Sequence, residues 1–295
     1  SAVIDGKTVY SKEVIWHPKT SADPQYQFDG IVTAFQTAAS KMPRVDAIGV
    51  SSAGVYINNH TMSASLFLKV SPEDYEKYVK DIYIRAAKEI GDVPLTVCND
   101  GDVTALAGAM SLGEDGILGI AMGTSEAGGY VDMKGNITGW LNELAFVPCD
   151  LAPDAMVDEW SGDIGCGVKY FSQDAVIKLA PAAGIELDPA LSPAEKLKVV
   201  QGKMEQGDAG ARAIYETIGV YLGYTLAFYA LFYEINHVLL MGRVTSGEGG
   251  DLVLAKAQEV LRTEYPQLKM QVNLPDEKSR RVGQSVAAAS LPQIG

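Results

Sequence analysis

The chain has 295 residues, 47% hydrophobic and 21% charged with 13 prolines, a composition that buries a sizeable core and excludes intrinsic disorder. Its length exceeds the usual span of one compact core, so two lobes sharing a cleft are expected. With 24 Lys and Arg against 37 Asp and Glu, the net charge is −13; this field repels nucleic acid and anionic membrane surfaces, and a nucleotide would need backbone N–H groups, helix N-termini and a cation.

Ala2 to Tyr10 reads as two strands joined at Asp5-Gly6, a hairpin dipeptide. Gly30 to Lys41 reads as a helix, and Val45 to Val50 as a buried strand that delivers the small-residue loop Ser51-Ser52-Ala53-Gly54 at its C-terminal end. Ser71-Pro72-Glu73-Asp74 starts a long amphipathic helix to about Ile90, followed by the strand Pro94 to Cys98 and a helix over Val103 to Ser111. Strands over Ile117 to Met122 and Gly129 to Met133 flank the loop Gly123 to Gly128. The stretch from Gly135 to Gly167 mixes Gly, Pro, Asp and Trp and reads as functional loops. Helices follow over Tyr170–Leu179, Pro193–Gln206 and Gly210–Tyr233, then a strand over His237–Met241, a Gly-rich turn from Gly242 to Gly250, a helix over Asp251–Thr263, a strand over Leu268–Val272 and a last helix over Glu277–Ser290. The expected division is an N-terminal lobe of residues 1–113 with the returning helix 277–295, and a C-terminal lobe of 114–276.

Cys98, Cys149 and Cys166 are odd in number and lack C-x-x-C spacing, which fits a reduced, cytoplasmic compartment. The opening residues read as a hairpin rather than a signal peptide. The most apolar stretch, Ala213 to Leu240, is interrupted by Glu216, Glu234, Asn236 and His237, and reads as a buried core helix rather than a membrane span.

Two constellations carry candidate chemistry. Asn99-Asp100 ends a strand, where an open parallel sheet presents side chains to ligands; the carboxylate can accept a proton from a sugar hydroxyl and the amide can orient a second hydroxyl, although the dipeptide by itself reads more readily as an Asx turn or helix cap. The loop Gly123-Thr124-Ser125 joins two strands, so it is no Walker loop; its N–H groups and hydroxyls can face phosphate oxygens, or it can be a plain hairpin.

Ala47 to Gly54, Val97 to Asp100 with Ala105-Leu106-Ala107, Gly119 to Thr124 with Gly128-Gly129, Asn142 to Phe146, and Val238 to Gly242, in that order, resemble the ROK family of sugar kinases and repressors across nearly the whole chain. The resemblance implies a two-lobed α/β fold of the actin-like ATPase (ribonuclease H-like) type with an interlobe cleft. It implies Asp100 as catalytic base; Ser52, Gly54, Asn99, Asn142 and Glu143 toward the sugar; and Gly123, Thr124, Ser125, Gly128, Gly242 and Arg243 toward ATP, with Mg²⁺ and a possible homodimer. The implied activity is ATP-dependent phosphorylation of a sugar hydroxyl. A non-catalytic sugar-sensing module and a degenerate scaffold are the alternatives; neither nucleic acid nor membrane is an expected partner, and hexose, amino sugar and polyol all remain open as acceptors.

The chain departs from the family pattern at several places. The family's opening strand and D-x-G-G-T phosphate loop precede the part that Ser1 to Gly6 resembles, so that loop is expected upstream of Ser1, or else the protein lacks it and is a poor catalyst. Phe146 stands in the place of the family's zinc-binding His, and Gly162 to Val168 holds one Cys and no His, so no structural zinc is expected and hexose preference is in doubt. Asp163 in that loop is a sugar contact or a plain surface residue. Glu126, beside the phosphate-facing loop, is expected to point away from it. Arg243 reads as a nucleotide contact or a surface cap, His60 as a cleft or loop residue, and Trp140 and Tyr56 as a sugar platform or core packing.

Overall fold

The computed structural model describes residues 1–275 and 277–292. It divides into two compact units, Ser1–Ser111 with Glu277–Gly295, and Leu112–Asp276.

In the first unit β1 (Ala2–Ile4) and β2 (Lys7–Tyr10) form the hairpin, with Asp5 and Gly6 both at positive φ, as a two-residue turn of this hand requires. Helix α1 spans Pro24–Ala39, six residues earlier than the sequence suggested: Asp23 caps it, accepting a 2.9 Å bond from the Gln25 N–H, and Pro24 occupies the first turn where its missing N–H costs nothing. β3 (Ile48–Ser52) is followed by the small hairpin of β4 (Val55–Ile57) and β5 (His60–Ser63). The long helix expected from Ser71 to Ile90 is broken. A turn of helix, α2 (Pro72–Asp74), runs into a π-helical segment at Tyr75–Val79, where the Lys80 N–H reaches the Tyr75 carbonyl; α3 (Ile82–Lys88) then restarts. The Thr61 N–H takes the Lys80 carbonyl at 2.8 Å, a tertiary bond that local periodicity could not reveal.

β6 (Leu95–Asn99) pairs in parallel with β3, Ser52 opposite Asn99, and α4 (Asp100–Leu112) begins at the next residue rather than at Val103. Ile31, Val50, Phe67, Val79, Ile82 and Val97 form this unit's main core, and Val103 and Ala107 of α4 pack on Ala287 and Ala288 of the last helix, Glu277–Ser290.

The second unit is built on a four-stranded sheet. β7 (Ile117–Met122) runs antiparallel to β8 (Glu126–Val131) and parallel to β9 (His237–Met241), whose other edge carries β10 (Gln271–Asn273). β8 starts three residues earlier than Gly129 because Met122 pairs directly with Glu126, leaving only Gly123, Thr124 and Ser125 in the turn. The helices are α5 (Gln173–Leu179), α6 (Pro193–Glu205), α7 (Ala209–Tyr229) and α8 (Glu248–Glu264). α6 opens on a reciprocal capping box between Ser192 and Glu195. α8 begins at Glu248, inside the expected Gly-rich turn, so Gly249 and Gly250 are helical and buried.

α7 and α8 approach closely at Gly219 and Gly223, where a Cβ would meet Lys256 Cβ at 2.7 Å and Val260 Cβ at 2.6 Å. Ile214, Tyr215, Leu222 and Leu226 of α7 bury against Leu118, Ile120 and Leu240 of the sheet, together with Val253 and Ala257 of α8. α7 is thus a core helix on one face only, and it ends at Tyr229. Among the described residues no helix is long and apolar enough to cross a membrane.

Candidate functional site

The parallel register of β3 and β6 brings four of the expected residues together in the first unit. Asn99 ends β6, and its Nδ2 donates to the Gly54 carbonyl at 2.9 Å while its Oδ1 accepts from the Gly101 N–H at 2.8 Å. Asp100 begins α4; its Oδ1 lies 3.1 Å from the Gly101 nitrogen, and its own carbonyl takes the Thr104 hydroxyl at 2.7 Å. Burial pushes the Asp100 carboxyl above the ordinary aspartate value, only partly offset by the N–H groups of Asp100 and Gly101. A carboxylate in that condition is a better proton acceptor than an exposed one.

The Ser52 hydroxyl lies 2.8 Å from the phenol oxygens of both Tyr83 and Tyr56, so it braces the strand end from within. Tyr56 also sits 2.9 Å from the Ala53 carbonyl, making it a structural partner of this loop. Ser51 Oγ accepts from Gln284 Nε2 at 2.9 Å, which ties the last helix to the same strand end. A cavity of about 940 Å³ opens beside these residues, with Asp100, Ser51 and Gln284 at one side and Trp16, Ile31 and Phe35 along its apolar wall. His60 faces Asp81, with Nδ1 2.6 Å from Oδ1.

In the second unit β7 and β9 end side by side, Ala121 opposite Met241, so the Gly123–Ser125 turn and Gly242 leave the same edge of the sheet. Gly242 (φ +100°) presses on this edge: a Cβ there would come within 2.2 Å of the Met122 carbonyl oxygen, which only glycine tolerates. Thr124 and Ser125 are exposed, and the Gly123 carbonyl is held by the Gln173 N–H at 2.9 Å. Arg243 follows Gly242 with an exposed side chain, while its carbonyl accepts from Gln201 at 2.8 Å.

Gly128 backs onto the Asn142 carbonyl and Leu144. Asn142 is buried at positive φ and its Oδ1 accepts from the Tyr233 hydroxyl at 3.1 Å, so its side chain holds the loop; the neighbouring Glu143 is exposed, its carboxyl raised by desolvation. Trp140 stacks on Tyr130 at 5.9 Å and tilts against Tyr233 at 5.6 Å, leaving half its surface exposed. Phe146 packs against Trp160 at 5.8 Å. Asp163 lies in the surface loop, exposed, and its carbonyl takes the Asp158 N–H at 2.8 Å. Among the described residues no group of three His, Cys, Asp or Glu is placed to hold a metal ion.

Glu126 is the residue whose setting the sequence left least visible. It lies in β8, fully buried, with neither carboxylate oxygen hydrogen-bonded, and its Oε2 sits where a Gly167 Cβ would be, at 2.3 Å. Burial lifts its carboxyl to about 8. The sequence has Glu126 pointing away from the phosphate-facing turn without saying where it goes, and the Met122–Glu126 pairing puts it on β8 with its side chain in the interior.

No family model matches the sequence, and no curated relative matches it. Solved structures do match the fold. A ROK hexokinase from Thermus thermophilus superposes with a TM-score of 0.71 at 20% identity, over 97% of this chain and 92% of that one. A ROK family glucokinase from Streptomyces griseus, in complex with glucose and AMPPNP, gives 0.62 at 20% identity over 90% and 88% of the two chains. A ROK family transcriptional regulator, a homologue of the E. coli MLC protein, gives 0.63 at 18% identity over 90% and 68%. The chain therefore has the actin-like ATPase fold of the ROK sugar kinases and regulators.

Proposed function

We propose that this protein is an ATP-dependent sugar kinase in which Asp100 is the catalytic base. The observation that carries the reading is the setting of Asp100: a desolvated carboxyl with raised proton affinity, at the C-terminal end of a parallel strand, beside the Asn99–Gly54 clamp and open to a cavity. A sugar hydroxyl placed against it gives its proton to the Asp100 carboxylate as the oxygen attacks the γ-phosphorus of ATP, the bond to the β–γ bridging oxygen breaks and ADP leaves. Asn99 and Glu143 are the proposed hydroxyl ligands, with Ser52, Gly54 and Asn142 shaping the loops that carry them.

The Gly123-Thr124-Ser125 turn fits a phosphate tail through the exposed Thr124 and Ser125, while the Gly123 N–H closes the turn on the Ser125 carbonyl at 3.0 Å. Gly242 and Arg243, which leave the same sheet edge as this turn, are the proposed contacts to the nucleoside. A divalent cation bound with ATP supplies charge neutralisation, which a chain of net charge −13 does not provide. The reading requires the two units to present Asp100 and the turn to one pair of ligands. Lobes of residues 1–113 with 277–295 and of 114–276, a cytoplasmic setting and a homodimer belong to the same proposal.

The test is ADP release in the presence of ATP, Mg²⁺ and a panel of hexoses, amino sugars and polyols. At least one sugar should stimulate turnover, and Asp100→Asn should lower it by about 10²–10⁴-fold with an unchanged circular dichroism spectrum. Sugar-stimulated turnover that survives Asp100→Asn would remove Asp100 as the base. The fold shared with a ROK regulator supports sugar sensing as the second reading, and calorimetry showing a sugar bound with no nucleotide bound would favour it.

A further inference from the structure

We propose that Trp160 and Phe146 form a platform for a second sugar ring, so that the acceptor is a disaccharide rather than a free monosaccharide. The proposal deepens the sugar-binding part of the reading above and rests on Glu143 as a ligand of the acceptor. The platform grows out of the turn that carries Glu143. The Phe146 N–H donates to the Glu143 carbonyl at 3.2 Å, the i to i+3 bond of a 3₁₀ turn, and Leu144 and Ala145 between them are buried. Side chains three apart on such a turn share a face, and Glu143 and Phe146 are exposed together. The Trp160 ring lies 5.8 Å from that of Phe146, inclined at 33°. Phe146 is 39% exposed and Trp160 84%.

Trp160 is held in place despite its exposure. It stands on a hairpin closed by the Val157–Ile164 bridge, in which the Asp158 N–H reaches the Asp163 carbonyl and the Gly162 N–H reaches the Asp158 carbonyl, each at 2.8 Å. The two residues before it are pinned by charge: the buried Lys169 ammonium lies 3.0 Å from Asp158 and 2.8 Å from Glu159, and Lys178 lies 2.5 Å from Glu159. An indole presented to water on so braced a hairpin is ordered before any ligand arrives, which lowers the cost of binding.

Area and charge both select the occupant. An aromatic side chain offers about 150–250 Å², so these exposures leave roughly 200–300 Å² across the two rings, far short of the about 800 Å² that each side of a stable protein interface contributes. The area suits the apolar C–H face of a single sugar ring. Glu143, Glu159 and Asp163 surround the platform with exposed carboxylates, which repel an anion and accept hydrogen bonds from neutral hydroxyls. An apolar face with a few polar groups beside it is the composition of a small-molecule site. The ring on Glu143 and the ring on the platform are then adjacent units of one saccharide.

Calorimetry with glucose against cellobiose and maltose, and with N-acetylglucosamine against chitobiose, tests the proposal, with ADP release from Mg-ATP measured in parallel. One disaccharide should bind roughly tenfold more tightly than its monosaccharide, the scale of one aromatic contact. Trp160→Ala should bring that ratio close to one, and Trp160→Phe, which keeps a ring, should retain part of it. Phe146→Ala is an independent second variant with the same expected loss. In turnover the loss should fall on KM for the disaccharide rather than on kcat, since the platform holds the ring that does not react. A parent ratio near one, no binding of any disaccharide, or a ratio indifferent to Trp160→Ala overturns the platform. Disaccharide preference without ADP release would keep the platform and remove the kinase, whereas sugar-stimulated ADP release without that preference would keep the kinase and remove the platform.

Discussion

Asn99 Nδ2 donates to the Gly54 carbonyl oxygen at 2.9 Å, tying the end of one parallel strand to the loop that leaves its neighbour. Because Asn99 Oδ1 also accepts from the Gly101 N–H, one amide holds both the backbone just after Asp100 and the neighbouring loop.

Replacing Asn99 by Ala removes both bonds and leaves the Gly101 N–H and the Gly54 carbonyl without this partner. We expect a loss of about 1–3 kcal/mol in unfolding free energy, read from urea denaturation. An unchanged denaturation midpoint would mean that the clamp contributes nothing to the fold.

Glu126 makes stability fall with rising pH. Its folded carboxyl titrates near 8 against an unfolded value of 4.5, so the native state holds the extra proton between those values. Stability is therefore full below pH 4.5, declines through the interval and levels off above 8; at about 1.36 kcal/mol per pKa unit the span corresponds to on the order of 5 kcal/mol. Facing Glu126 are Cys149, whose thiol burial pushes up to about 12, and Tyr229, raised well above its ordinary value by burial; both stay neutral over the interval. Glu126→Gln cannot ionise and should flatten the pH dependence of thermal unfolding between pH 5 and 8, whatever its effect on absolute stability. A variant that keeps the parent's slope would show that another group titrates.

Lys169 is buried, with its ammonium 3.0 Å from Asp158, 2.8 Å from Glu159 and 2.9 Å from Asp174. Burial disfavours the ammonium, yet the three carboxylates outweigh it and hold its proton affinity above the ordinary lysine value. Lys169→Met leaves Asp158 buried without its cation, and we expect a loss of about 3–5 kcal/mol at neutral pH. Asp158 and Glu159 are held low by their hydrogen bonds, Glu159 at about 2, so their contribution is present above their unfolded values and fades as pH falls toward 2. Parent and variant should accordingly converge in stability in acid, and a gap that persists unchanged at pH 3 would refute this account.

Local chemistry made much of the fold legible. Asp5-Gly6 marked its hairpin, Pro193 its helix start, and the apolar run His237–Met241 its strand, because turn preference, capping and burial act over a few residues. The strand-end position of Asn99-Asp100 was readable for the same reason. The break at Tyr75–Val79 and the start of β8 at Glu126 were not, since each depends on a partner distant in sequence or on cross-strand register.

The sequence by itself determined which residues are candidates for chemistry and where most helices and strands lie, since side-chain type and periodicity are local properties. Only the tertiary structure decided that Ser52 is locked between two tyrosines, that Asn142 turns inward to Tyr233, that Glu126 is buried and that one face of α7 is left apolar in solvent. Those outcomes depend on which neighbours meet each side chain, and burial, proton affinity and hydrogen bonding are set by neighbours rather than by residue type.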